Sequence, residues 1–522
     1  MRAARGAQLP VLPVHTSNDT LASAIADLGP DAPRVGLVTL GCDKNTVDSE
    51  RLLARLAGAG ARVVEEGADA DVIVINTCGF IDVAKEESVD AILDAVRLKQ
   101  DGRIRAVVAM GCMVQRYKAE LTHEIPEVDL FLGLTEAERL VPELRARGLL
   151  DDRVQVSTME QPLRLLTTST RHTSYLKISE GCDHTCAFCA IPLMRGRHRS
   201  TPIDTLVREA QQLEAAGVVE LNLISQDTTW YGRDILRGVD TGDAEYFVGK
   251  AFAGMAGVTS AAVQAVPRGS TLARDRRTGL LPELLDALVE NTSIPWLRLF
   301  YMYPSGIYPE LVEQIARQPR IVPYIDMPIQ HGSDGVLRRM RRPERQATIR
   351  ERVSWLRDAI PDVALRSTVI VGFPGETDEE FEDMLGLLEE IRFDHLGAFS
   401  YSVEEDTAAA QMGSHVAGEI KRERLERLLD LQRGIAQERN EALLGREMVV
   451  LVDAHTGRDM DDADAPAVRP GALGRTARQA LEIDGTVHID DATSARPGDF
   501  VRVRITDVIE TDLRAEILVN TD

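Results

Sequence analysis

The stretch SEGCDHTCAFCAIP, residues 179–192, packs Cys182, Cys186 and Cys189 into eight positions, directly after the apolar run YLKIS that reads as a strand. Intervals this short let three thiolates each reach a different iron of one cubane iron-sulfur cluster and leave the fourth iron open. The same three thiolates with His184 could hold zinc instead, although tetrahedral zinc sites more often use paired Cys-x2-Cys knuckles. Position favours the cluster: parallel β/α architectures place their ligands at the C-terminal ends of strands, where this loop lies.

Downstream the apolar runs VVELNLIS (218–225), WLRLFYMY (296–303), VPYIDMPI (322–329), ALRSTVIVGF (364–373) and HLGAFSYS (395–402) alternate with helical segments such as PIDTLVREAQQLEAAG. Six strands alternating with helices predict a partial or closed β/α barrel. SQDTTWYG (225–232) and VGFPGET (371–377) open onto the same face as the cysteine loop. They nominate Gln226, Gly372 and Gly375 as contacts for a cofactor, since glycine permits close backbone approach; the alternative is ordinary strand-to-helix turns. A Gly- and Ala-rich stretch at about 235–280 interrupts the rhythm and is either a functional loop or disorder.

Upstream, VTLGC, INTCGF and AMGCM each end an apolar strand-like run with a cysteine: Cys42, Cys78 and Cys112. Between these runs lie helix-like stretches from Val47, from about Asp82 to Leu98 and from about Val114, the pattern of an open parallel α/β domain. Strand ends of one polarity lie along one edge of a parallel sheet, so three such cysteines can converge on a second site. Gly41, Gly79 and Gly111 flank them and let the backbone turn around a bulky group. Three separately buried thiols are the competing reading.

Residues 1–33 show no sustained periodicity and read as a weakly ordered extension. A charged helix over 420–443 leads to short strands (MVVLVDA, TVHID, DFVRVRITDVI, RAEILV), which predict a small β-barrel. With 522 residues, the length prior of roughly 150 residues per domain gives about three domains. No apolar run approaches the ~20 residues of a membrane span, and the N-terminus lacks a secretory apolar run, so the expected location is cytoplasmic and no membrane partner is expected. Six cysteines in such a chain are too sparse for a disulfide framework. The net charge of −23, from 83 acidic and 60 basic residues, argues against a grip on nucleic acid mainly through phosphates and favours a basic partner.

The Cys-x3-Cys-x2-Cys segment resembles the radical S-adenosylmethionine (SAM) superfamily, and with TLGCDKNTVDSE, INTCGFIDVAKEES, GCMVQRY, MRGRHRS, PIQHGS and VIVGFPGET it resembles the methylthiotransferases of that superfamily. The resemblance covers about 34–520 and implies an N-terminal methylthiotransferase domain (34–150), a radical SAM domain (168–410, with the 235–280 insertion), a linker helix (411–445) and a TRAM domain (446–520). It implies two 4Fe-4S clusters, one on Cys42, Cys78 and Cys112 and one on Cys182, Cys186 and Cys189, with SAM at the second and Gln226, Gly372 and Gly375 as its contacts. Within the family, the wording LGC-x-KN-x-VDSE, NTCGFID, HGS and EIDG looks like the branch that methylthiolates the β-carbon of an aspartate in ribosomal protein S-twelve, free or in the subunit, using two SAM and an electron donor. Asp43 stands where that branch commonly has proline. The alternative is the branch acting on tRNA adenosine; a third reading is a metal-holding scaffold for ribosome assembly. From Arg446 onward the chain holds 16 acidic and 9 basic residues, a net of −7, which suits a basic ribosomal protein better than RNA. His331, Asp227 and Glu404 are candidates for a general base, each equally readable as a structural loop residue.

Overall fold

The computed structural model describes residues 32–64, 69–151, 164–167, 171–236, 279–456, 471–492 and 494–518. The extension at 1–33 and the insertion at 235–280 therefore lie almost wholly outside the described residues.

The N-terminal domain is a parallel sheet of β1 (Arg34–Thr39), β2 (Arg62–Val63), β3 (Val72–Thr77), β4 (Ala106–Gly111) and β5 (Leu130–Gly133) in the order β2-β1-β3-β4-β5. Strands β3 and β4 are buried along their whole length, as expected for a sheet covered by helices on both faces. Alternate residues feed two cores. Val72 and Val74 pack with Leu52, Leu53 and Leu56 of helix Asp43–Gly58, whereas Ile73 and Ile75 pack with Ile92 of helix Asp82–Gln100.

The central domain carries β6 (Thr173–Lys177), β9 (Glu220–Ile224), β10 (Trp296–Leu299), β11 (Ile321–Asp326), β12 (Ala364–Val371) and β13 (His395–Ser400) in sequential parallel order. Its outer strands β6 and β13 do not pair, so the barrel is partial. Outer helices bury leucine faces against it; helix Asp378–Ile391 opens with a capping box between Thr377 and Glu380. A two-stranded ladder, β7 (Ser179–Glu180) with β8 (Arg199–Ser200), ties together the two ends of the cysteine loop.

Helix Gly418–Glu441 leads to a closed five-stranded barrel of β14 (Glu447–Thr456), β15 (Gly471–Thr476), β16 (Val487–Asp490), β17 (Phe500–Ile509) and β18 (Asp512–Ile517). It docks at the N-terminal ends of the central strands. There Arg475 pairs with Glu220 at 2.8 Å and Phe500 meets Trp296 edge to face at 5.0 Å. The N-terminal domain docks at the opposite ends, where Lys177 pairs with Asp48 and the Tyr301 hydroxyl donates to Asp43 at 3.2 Å. Val47, Ile224, Phe300, Tyr324 and Leu451 share one apolar cluster, so all three domains contribute to a common core.

Candidate functional site

Each cysteine of the first group lies where a strand gives way to a helix. Cys42 is the N-cap of helix Asp43–Gly58, Cys112 is the first residue of helix Cys112–Glu124, and Cys78 follows β3. Helix N-termini favour negative charge and so favour thiolates. Gly41 has φ +95, and a Cβ there would stand 2.7 Å from Cys78 Cβ and 2.8 Å from its Sγ. The loops after β1 and β3 thus touch through the absence of a side chain. Burial pushes the Cys78 thiol up, and pushes Cys112 up to about 12. Each of these thiols also feels Cys42 as a neighbouring negative group, which places the three together.

Arg195 supplies the positive counterpart. Its guanidinium lies almost wholly buried and donates to Asn45 Oδ1 at 2.6 Å, to Asp48 at 3.1 Å and to Glu180 at 2.9 Å. Asn45 also accepts from the Cys112 thiol at 3.7 Å and donates to the carbonyls of Leu40 and Thr77. Neither Arg195 nor Asn45 stood out in the sequence, although MRGRHRS and KN-x-VD contain them; their partners are distant in the chain.

Cys182, Cys186 and Cys189 lie on the loop between β7 and β8. Burial pushes Cys182 and Cys189 up to about 12, each also acted on by the neighbouring thiols. The Tyr303 hydroxyl lies 3.1 Å from Cys186 Sγ, and Arg342 stacks over the Tyr303 ring at 3.8 Å while donating to the same sulfur at 3.9 Å. Ala187 packs with Met340, Phe373 and Tyr401, an apolar wall behind the loop. His184 is already engaged: it hydrogen-bonds Asp227 at 2.7 Å and stacks on Tyr303 at 4.0 Å. That engagement counts against its being a zinc ligand. Among the described residues no three His, Cys, Asp or Glu side chains close around a point that a single ion could occupy.

The two groups of cysteines adjoin. Cys112 shares a small apolar cluster with Ala190 and Met194, flanked by Leu134 and Ile191, and Ala190 follows Cys189 directly. One group sets two buried thiols beside the exposed Cys42, the other holds three buried or half-buried thiols, and each lies beside an arginine, a donor set that fits clusters ligated by three thiolates apiece.

The remaining candidates are placed otherwise. Gln226 reaches Glu180 at 3.4 Å and leaves its Oε1 buried without a partner. Gly372 and Gly375 have φ +72 and +74, as turns require, but the space at Gly372 is filled by Lys421, whose Cγ would lie 2.4 Å from an added Cβ. The Gly372 amide donates to Glu376. On its Cβ side Gly372 is therefore approached by this chain's own lysine. His331 is fully buried beside Glu376 at 3.3 Å and accepts from the Ser333 amide. Asp227 caps the short helix Thr228–Trp230. Glu404 pairs with Lys85 and Arg116 of the N-terminal domain, each at 3.0 Å. Each of the three has a structural partner, while His331 Nε2 and Glu404 Oε1 are buried without a hydrogen bond.

Comparison with known proteins gives three family matches: Uncharacterized protein family UPF0004 over residues 34–133, the Radical SAM superfamily over 176–388 and the TRAM domain over 444–518. The chain is 44% identical over 489 residues to the ribosomal protein uS12 methylthiotransferase RimO of Anaeromyxobacter sp. (strain Fw109-5), covering 93% of each chain. It is 41% identical over 509 residues to the protein of the same name from Symbiobacterium thermophilum, covering 96% of this chain and 94% of that one. Among solved structures, the radical SAM methyltransferase TsrM from Kitasatospora setae superposes with a TM-score of 0.47 at 12% identity, covering 70% of this chain and 73% of that chain; so low a likeness carries no argument.

Proposed function

We propose that this chain, which belongs to the RimO family of ribosomal protein uS12 methylthiotransferases, is a radical SAM enzyme that replaces a hydrogen on the β-carbon of a uS12 aspartate with a methylthio group. The uS12 of its relatives' names is the S-twelve that the motifs imply, and this disfavours tRNA adenosine as substrate. The observation that carries the reading is the packing of Cys112 against Ala190 and Met194, which sets the two groups of cysteines side by side.

Cys182, Cys186 and Cys189 would hold one 4Fe-4S cluster, with SAM at its open iron, and Cys42, Cys78 and Cys112 the other. When bound, these groups supply a radical able to take hydrogen from an unactivated carbon and the methylated sulfur that replaces it. The chain's own contribution is placement. Arg195 and Asn45 lock the Cys42 helix to the segment that follows Cys189, so the spacing between the two sites is fixed before substrate arrives. Tyr303 and Arg342 hold the Cys186 sulfur in orientation. The apolar residues around Ala187 and Ala190 shield the buried Cys112 and Cys186 from water, while Cys42 stays exposed. Because burial raises Cys112, Cys182 and Cys189, these thiols are protonated until metal displaces the proton, so loading releases protons. An electron donor is required and is a separate partner.

Anaerobic reconstitution is expected to give about eight irons per chain. Incubation with SAM, reductant and uS12 is expected to yield a uS12 peptide carrying one methylthio group, read by mass spectrometry. Cys182→Ala is expected to abolish SAM cleavage, whereas Cys112→Ala retains cleavage but gives no sulfur insertion. A modified tRNA adenosine with unmodified uS12 would overturn the substrate.

A further inference from the structure

Beside the cysteine loop lies a cavity of about 870 Å³ lined by six arginines: Arg233, Arg338, Arg341, Arg342, Arg345 and Arg352. Among the described residues only two carboxylates, Asp183 and Glu310, line it with them. Arg342 is paired with Glu344 and Arg352 with Glu351, but Arg338 and Arg341 are exposed and have no carboxylate partner among the described residues. Arg345 spends its guanidinium on the carbonyls of Arg342 and Glu344. On a chain of net charge −23, such a concentration of positive charge is a local reversal of sign. Arg341 has φ +57, at the end of helix Asp334–Arg339, a position where glycine is the easy choice.

Two aromatic rings share the cavity. Trp230 carries Arg233 over its face at 4.9 Å, and Tyr308 also lines the cavity. Guanidinium groups interleaved with half-exposed aromatic faces are what a single nucleic-acid strand engages, through phosphates and stacked bases. The cavity also shares Asp183, His184 and Thr185 with the loop between Cys182 and Cys186, so an occupant lies against the mouth of the proposed active site.

We infer that this arginine cavity binds RNA phosphates flanking the protein substrate, so that the enzyme engages uS12 as part of a ribonucleoprotein. The inference rests on the function proposed above. A basic ribosomal protein is repelled by the cavity and attracted by the acidic remainder of the chain, whereas its RNA is attracted by the cavity alone. The two surfaces together fit a particle that carries both charges.

The test uses the full-length reconstituted enzyme and a fluorescent single-stranded RNA 12-mer, followed by anisotropy between about 50 and about 200 mM KCl. Arg338→Ala combined with Arg341→Asn, the latter tolerant of positive φ, is expected to weaken binding on the order of tenfold and to lower the salt slope by about 1.4, or about 0.7 per lost phosphate contact. Iron content and SAM cleavage are expected to stay at the wild-type level. Methylthiolation of small ribosomal subunits is expected to fall several-fold while that of free uS12 holds. Unchanged RNA affinity, an unchanged rate on subunits, or an equal fall on free uS12 would each overturn the inference. So would a polyglutamate peptide that displaces the RNA as well as RNA of equal charge does, since the cavity would then be an acidic-peptide site. If the wild-type enzyme modifies no form of uS12, the proposed function fails, and the anisotropy arm still decides the cavity.

Discussion

Gly41 shows how little room the first cysteine group leaves. With φ +95 and Cys78 atoms at 2.7 and 2.8 Å from any added Cβ, Gly41→Ala is expected to destabilise the protein by about 1–3 kcal/mol. Iron should drop from about eight toward about four per chain while SAM cleavage persists; urea denaturation and iron analysis check the two effects. Arg195→Ala removes the buried cation between Asp48 and Glu180 and leaves Lys177 as their shared partner. Because Glu180 is partly exposed and Lys177 remains, the cost falls below about 3–5 kcal/mol, the figure for breaking a fully buried pair, and a thermal melt will register it. At this scale the cysteines were legible from spacing and strand ends. Arg195 was not, because Asn45 lies 150 positions away, nor was the packing of Lys421 over Gly372, from the later helix Gly418–Glu441.

Helix Asp43–Gly58 is the element that joins catalysis to architecture. It begins at Cys42 and turns Leu52, Leu53 and Leu56 into its own domain, while Val47 enters the cluster shared with the central barrel. Val47→Ala is expected to cost about 1–3 kcal/mol and to loosen the contact between domains, measured as faster limited proteolysis and a lower melting temperature. Elements with strong periodicity were visible in the sequence, including the long helix, read as 420–443 and found at Gly418–Glu441. The strands β2, β5, β7, β8 and β15 were not. β2 has two residues, β5 has four, and β15 reads GALGRT, where two glycines erase the alternation that signals a strand. Whether the central barrel closes depends on β6 meeting β13, a pairing between distant segments that no local pattern encodes.

The whole molecule is held by buried charge as well as by apolar packing. Burial opposes ionisation of Glu220, but the guanidiniums of Arg475 and Arg298 outweigh it and bring its pKa down from 4.5 to about 2. A carboxylate depressed in the folded state contributes stability that is complete above its ordinary value and lost as pH falls through the folded one. The docking of the C-terminal barrel should therefore weaken between about pH 4.5 and about pH 2, by roughly 3 kcal/mol from this residue. The urea midpoint followed over that range checks it: Glu220→Gln, already weaker at neutral pH, should lose less on acidification than the parent protein. The shared core has a further consequence in time. Val47 leaves the ribosome some 400 residues before Leu451, its companion in that core. At 5–20 residues per second the delay is roughly 20–80 s. Throughout it the cluster that Val47 shares with Ile224, Phe300 and Tyr324 lacks its last member, so the docking of the C-terminal barrel belongs to the end of synthesis.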